Sequence, residues 1–246
     1  MIKERTSING KKVLVTGGTT GIGRAIVLLL AEEGATVLTL GRNQDVLDET
    51  LTQTEGLPGA VRGLTADVSE REEIQRIFEY LDNKLGGIDV LVANAGIASE
   101  PLDKASEEDW RYVVETNLVA YMSCAKAAID RMKDSGGGQL IFISSISAET
   151  KSPGTSVYAT TKAGIDAFAE TLRKEVADKN IRVSSIQPGS VKSDMQEASP
   201  KEQEEAVAKE EMLAAEEVAE AVQFLMTRSE GCNISTLRIE PRLEEY

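Results

Sequence analysis

The segment from Lys11 to Gly23 constrains the fold more than any other: Lys-Lys-Val-Leu-Val-Thr runs directly into Gly17-Gly18-Thr19-Thr20-Gly21-Ile22-Gly23. Lys11 to Thr16 reads as a first strand, and Ile22, Ala25, Ile26, Leu29 and Leu30 then fall at helical spacing until Gly34. A strand that enters a helix through glycines belongs to a β-α-β unit, whose parallel strands need helices on both faces. Two readings of the glycines stand at this point. One is a packing turn. The other is a phosphate cradle, in which glycines admit close backbone approach to a pyrophosphate and the helix N-terminus offers free N–H groups and partial positive charge.

The next strand favours the cradle. Ala35 to Leu40 is apolar and ends at Gly41-Arg42-Asn43. In a dinucleotide-binding fold an acid at this strand end accepts from a free ribose 2′-OH, whereas arginine suits a 2′-phosphate. No acid is present and Arg42 is, so NADP(H) is preferred and NAD(H) stays possible.

The alternation continues along the chain. Asp45–Thr54 reads as helix, Ala60–Ala66 as a strand ending at Asp67-Val68, and Glu70–Leu85 as a helix carrying Ile74, Ile77, Phe78 and Leu81 on one face. Ile88–Ala93 is a buried strand ending in Asn94-Ala95-Gly96, and Ser106 caps a long helix that contains Asn117. Leu140 to Ile143 is a strand ending at Ser144-Ser145, and a loop leads to a helix with Tyr158 and Lys162. Ile181–Gln187 is a sixth strand, ending in Pro188-Gly189-Ser190-Val191. The Glu-rich stretch from Asp194 to Glu220 reads either as a solvated helix pair or, at about 192–213, as a substrate lid. A last helix at about 214–227 precedes Leu237–Pro241, a possible added strand. At 246 residues the expectation is α/β, a doubly wound parallel sheet in one Rossmann-like domain, with ligands at the strands' C-terminal ends.

Composition narrows the chemistry. Net charge −14 repels phosphate backbones and argues against nucleic acid or an anionic membrane as partner. No stretch approaches the roughly 20 apolar residues of a membrane span, and the N-terminus lacks an apolar signal core, so a cytoplasmic protein is expected. Cys124 and Cys232 form no metal or disulfide motif, and the absence of His removes Ser-His-Asp catalysis and His-ligated zinc together. Acid–base work falls to Tyr, Lys or carboxylates. Tyr158 and Lys162, one helical turn apart, share a face with Cβ atoms about 5–6 Å apart. A neighbouring ammonium lowers a phenol's pKa, so an acid usable near neutral pH is expected.

Taken together, the Thr16-Gly17-x-x-x-Gly21-x-Gly23 turn, Asp67, Asn94-Ala95-Gly96, Asn117, Ser145, Tyr158-x-x-x-Lys162 and Pro188-Gly189 resemble the short-chain dehydrogenase/reductase family, in its short single-domain branch. The resemblance runs from about Lys11 to Gln223 and implies nicotinamide-dependent interconversion of alcohols and carbonyls. It makes Tyr158 the acid–base residue, has Lys162 lower its pKa and bond the nicotinamide ribose, has Ser145 stabilise the alkoxide, and has Asn117 hold a proton-relay water. It also implies cofactor contacts from Gly17, Thr19, Gly21, Ile22, Gly23, Arg42, Asp67, Val68, Asn94, Ala95, Gly96, Pro188, Gly189, Val191 and Ser193.

The ending departs from the branch's usual Gly-rich close. Asn233-Ile234 through Leu237-Arg238-Ile239-Glu240-Pro241 resembles NADP-dependent 3-hydroxy acid and serine dehydrogenases, which tilts the substrate towards a small hydroxy acid with Lys151, Lys192 or Arg111 as countercharge. The alternatives are 3-oxoacyl-carrier-protein reduction and a non-catalytic NADP-binding regulator. The resemblance further implies a homodimer or homotetramer, with Ala125, Ala127, Ala128, Ala163 and Ala167 permitting close helix approach.

Overall fold

The computed structural model describes residues 6–196 and 198–244. The N-terminal signal reading and part of the lid therefore fall on residues outside those described. Seven parallel strands form one sheet in the order β3-β2-β1-β4-β5-β6-β7: β1 (Lys12–Val15), β2 (Thr36–Gly41), β3 (Ala60–Thr65), β4 (Val90–Ala93), β5 (Gly138–Ile143), β6 (Ile181–Pro188) and β7 (Thr236–Ile239). The first step of the chain runs from β1 to β2 and onward to β3, and the next returns across β1 to β4. That reversal opens a crevice beyond the C-terminal ends of β1 and β4. β7 pairs in parallel with β6, Ile186 opposite Leu237, so the unusual ending is an added strand.

Helices cover both faces, which is why the central strands are apolar without alternation. On one face α3 (Arg71–Leu85), α5 (Ala120–Met132) and α7 (Ser156–Glu175) bury Ile77, Phe78, Leu81, Tyr121, Ala125 and Ile165 against Leu14, Leu91 and Phe142. On the other, α1 (Gly21–Glu32) and α9 (Ala215–Met226) bury Ile26, Leu30, Val218 and Val222 against Val13, Val92 and Ile141. The remaining helices are α2 (Gln44–Gln53), α4 (Glu107–Val114), α6 (Ser147–Thr150) and α8 (Pro200–Ala208).

Three expectations change. The single long helix after Ser106 is interrupted between α4 and α5 by a π turn over Glu115–Val119, a local widening that re-aims side chains and is often found at functional sites. The solvated reading of the stretch to Glu220 fails at its end, where Val218 and Ala219 are core; they belong to α9, the expected last helix. In the lid segment, α8 begins with a Ser199–Glu202 capping box, and buried Gln203 accepts from Ser193 N–H at 2.9 Å. Finally, Ala125 and Ala128 lie wholly in the core. They face the sheet and are not available to a partner subunit, which leaves Ala127, Ala163 and Ala167 of that expected set. Among the described residues no helix is long and apolar enough to cross a membrane.

Candidate active site

The glycine turn is fixed by what surrounds it. Gly17 sits at φ +65, and a Cβ on Gly23 would lie 2.0 Å from the Gly17 carbonyl oxygen, so only glycine lets α1 start this close to β1. Asn94 staples the turn from the end of β4, its Nδ2 donating to the carbonyls of Thr16 and Gly17 at 3.0 Å each. Thr16 Oγ1 accepts from the N–H groups of Asn94 and Ala95, which ties the end of β1 to the end of β4. The N-cap Thr20 makes no side-chain capping bond and the first turn of α1 carries no acid. Those N–H groups stay available to an anion.

A cleft extends from this turn along the sheet's C-terminal edge. Gly17, Thr19, Gly21, Ile22, Gly23, Arg42, Asp67, Val68, Asn94, Ala95 and Gly96 line one stretch, and Tyr158, Lys162 and Ser193 line the other. The structure thus brings together most of the expected cofactor residues. Pro188, Gly189 and Val191 do not line it: Gly189 N–H donates to Ile239 of β7, and Val191 pairs with Leu213. Asp194 and Met195 stand in the wall beside Ser193 instead.

At the chemical end, β5 delivers the two serines in opposite directions. Ser144 Oγ donates to the Lys162 carbonyl at 3.2 Å and serves the packing of α7. Ser145 Oγ accepts from Ser147 N–H at 3.1 Å, and Ser145 stands near enough to Tyr158 to work against the rise of its pKa. Because a lone pair is taken by Ser147, the Ser145 proton is free to point at Tyr158. Lys162 is 4 % exposed and donates to the Ile143 carbonyl at 2.9 Å. Its burial, partly opposed by the negative charge of Asp166, brings its pKa down to about 8.

The expectation of a phenol brought towards neutrality by Lys162 is not met. Burial raises the Tyr158 pKa above its ordinary value, and only Ser145 works against this. The ammonium spends its short contact on Ile143 and lies 5.6 Å from the centroid of the Tyr158 ring. Asn117 is fully buried, and its amide clasps the backbone of Ile97, accepting from N–H at 2.9 Å and donating to C=O at 2.8 Å. Its Oδ1 and Lys162 Nζ lie 3.5 and 3.8 Å from where a Gly96 Cβ would project. A Cβ on Gly96 would make ordinary van der Waals contact with both.

Sequence reasoning missed two polar groups here. Thr116 lines the cleft at 5 % exposure, and its hydroxyl is the one buried side-chain polar atom without a hydrogen-bond partner among the described residues. Tyr112 joins Arg42 to Asp67 at the other end. Neither carries a spacing signal, because the π turn that orients Thr116 is not written in any hydrophobic period.

The family described as short chain dehydrogenase matches residues 11–204. This chain belongs to that family. A 3-oxoacyl-[acyl-carrier-protein] reductase of Thermotoga maritima is 36% identical over 223 residues, 89% of this chain and 91% of the relative. One from Chlamydia pneumoniae is 40% identical over 187 residues, 76% of this chain and 75% of the relative. Among solved structures, a short-chain type dehydrogenase/reductase from Mycobacterium ulcerans superposes with a TM-score of 0.86 at 28% identity, over 96% of this chain and 90% of that one. The fold is accordingly the Rossmann-like, doubly wound sheet of short-chain dehydrogenases, and the chain is an NAD(P)(H)-dependent oxidoreductase.

The cleft fits a dinucleotide on its own evidence: free first-turn N–H groups, a glycine cradle closed to any Cβ, and an orphaned hydroxyl on Thr116, a residue of its wall. Thr116→Val removes that hydroxyl while keeping shape. It should weaken NADPH binding by about five- to tenfold, the worth of one hydrogen bond. The thermal midpoint of the cofactor-free protein should hold or rise, since no bond is lost. A fall in midpoint with affinity unchanged would instead mean that the hydroxyl has a partner within the protein.

Proposed function

We propose that this chain reduces the 3-oxo group of an acyl thioester with NADPH, with Tyr158 as proton donor. The observation that carries the reading is Tyr158 beside buried Lys162 in the wall of a cleft that begins in a glycine cradle, with Ser145 close to the phenol. Two relatives named as 3-oxoacyl-[acyl-carrier-protein] reductases support the substrate class.

The glycine turn, the first turn of α1, Asp67 and Arg42 would hold NADPH, which supplies the hydride. The chain's own residues do the rest. A carbonyl oxygen placed between Ser145 Oγ and Tyr158 Oη would draw both protons to itself and receive two hydrogen bonds that strengthen as it gains negative charge. Tyr158 then transfers its proton to that oxygen. Lys162, with a pKa of about 8, is the nearest proton reservoir. Asn117 holds Ile97, and with it Gly96, against Lys162.

The small hydroxy-acid reading stands second and rests on the ending that forms β7. Its proposed countercharges are largely engaged elsewhere: Lys192 pairs with Glu204 at 3.1 Å, and Arg111 pairs with Glu107 at 2.7 Å. A substrate carboxylate would have to displace them, whereas a thioester needs no countercharge. The reading centres on the thioester and not on an acidic carrier, which a chain of net charge −14 repels except at a local basic patch.

Rates of NADPH oxidation decide between the readings. A 3-oxoacyl N-acetylcysteamine thioester should exceed a small semialdehyde or 3-oxo acid by about tenfold or more in kcat/KM, the discrimination a pocket contact provides. The reverse order would transfer the assignment to the hydroxy acid. NADPH binding without turnover on any carbonyl would favour a regulator.

A further inference from the structure

At the far end of the cleft three side chains from three elements form a chain. Arg42, just past β2, donates through NH1 to Tyr112 Oη at 2.6 Å; Tyr112, on α4, donates to Asp67 Oδ2, just past β3, at 2.6 Å. The direction of these bonds is fixed. Arginine can only donate, a carboxylate can only accept, and the phenol has a single proton. That proton therefore goes to Asp67 and its lone pair to Arg42.

The other carboxylate oxygen of Asp67 is held by the N–H and hydroxyl of Ser69 at 2.9 and 2.8 Å. Burial alone would raise the Asp67 pKa, but the bonds from Tyr112 and Ser69, with the charge of Arg42, keep it below the ordinary carboxylate value. Tyr112 is half-buried, whereas Arg42 is exposed and forms no ion pair among the described residues.

β2 and β3 are neighbours with Gly41 opposite Thr65, so Arg42 and Asp67 leave the sheet side by side. Opposite charges at adjoining strand ends would ordinarily collapse into a direct pair, since the arginine fork matches a carboxylate. The Tyr112 hydroxyl stands between them. It satisfies Asp67 with a neutral donor and holds the guanidinium by one nitrogen only, which leaves the remaining N–H groups and the positive charge unspent.

We infer that Tyr112 is a specificity-determining residue for the cofactor: a spacer that keeps Arg42 from neutralising itself on Asp67 and so available to a 2′-phosphate. This rests on the dinucleotide reading of the cleft. Without the hydroxyl, Arg42 swings to Asp67 and recognition of the 2′-phosphate weakens, while the glycine turn and the first turn of α1 are untouched.

Fragment binding tests this without turnover. Titration of the full chain with 2′,5′-ADP and with 5′-ADP should show the wild-type protein favouring the 2′-phosphorylated fragment. In Tyr112→Phe, which fills the same space, the preference should fall about tenfold, the worth of losing a charge-assisted contact, with a much smaller change in 5′-ADP affinity, because Asp67 is altered but the glycine cradle is not. Arg42→Ala should abolish the preference, and adding Tyr112→Phe to it should cost nothing more, because the two act as one unit. An unchanged ratio in Tyr112→Phe, or an equal loss for both fragments, overturns the spacer role. Failure of both fragments to bind the wild-type protein overturns the dinucleotide reading itself.

Discussion

Tyr158→Phe is expected to lower kcat for carbonyl reduction by about 10³-fold, within the range general acid catalysis supplies, while NADPH affinity stays within about twofold because the lost contact is used in the transition state. The substitution removes one oxygen and leaves the ring that packs on α7. Ser145 is not orphaned by it, since its oxygen still accepts from Ser147 N–H. The pH profile carries the same assignment. Burial holds the Tyr158 phenol above its ordinary value, so the donor keeps its proton through the neutral range. Reduction should be flat there and fall only at alkaline pH, as the acid is lost. Alcohol oxidation, which needs the phenolate, should rise with pH over the same range. Single-turnover rates with pre-bound NADPH separate chemistry from release. Retention of most of the rate in the Phe variant would place the proton donor elsewhere, with Lys162 first in line.

Much of this molecule was legible from the sequence, and the failures have common causes. The strands and the glycine turn were readable because burial on both faces forces apolar runs, and because Gly23 cannot bear a side chain beside the Gly17 carbonyl. Tyr158 and Lys162 were readable as a pair because helical spacing puts them on one face. Their electrostatics were not. Spacing shows that an ammonium and a phenol are neighbours, but the bond from Lys162 to the Ile143 carbonyl and the depth of both groups decide the pKa values. Ala125 and Ala128 were misread for a related reason: small residues suit a subunit contact and a tight helix–sheet contact equally well, and only the fold shows them facing the sheet. Tyr112 and Thr116 were invisible because each takes its position from tertiary structure, one across neighbouring strand ends and the other through a π turn.

Lys162→Met is expected to inactivate the enzyme and stabilise it. Lys162 carries a pKa of about 8 against an ordinary 10.5, so the unfolded chain holds its proton more tightly than the folded one. Below pH 8 both states are protonated and the folded protein bears the full cost of a buried ammonium. Between about pH 8 and 10.5 only the unfolded state keeps the proton, so stability rises with pH; above that the cost is gone. The size of the shift corresponds to roughly 3 kcal/mol. Methionine removes this cost at neutral pH and forfeits one hydrogen bond, worth about 1 kcal/mol. The Ile143 carbonyl is not abandoned, because Tyr121 Oη also donates to it at 3.2 Å. The variant without cofactor should therefore melt about 4–8 °C above wild type at pH 7, with the gap closing by about pH 10, while kcat falls by about 10²-fold or more. Bound NADPH should reverse the order. Its nicotinamide ribose would give the ammonium a further hydrogen-bond acceptor, which favours the charged lysine, so the cofactor should raise the wild-type midpoint more than that of the variant. Melting curves at two pH values, with and without NADPH, test each step. A variant less stable than wild type at pH 7 would mean that the ammonium is already satisfied in the folded protein, and that this lysine is held in place for stability as well as for chemistry.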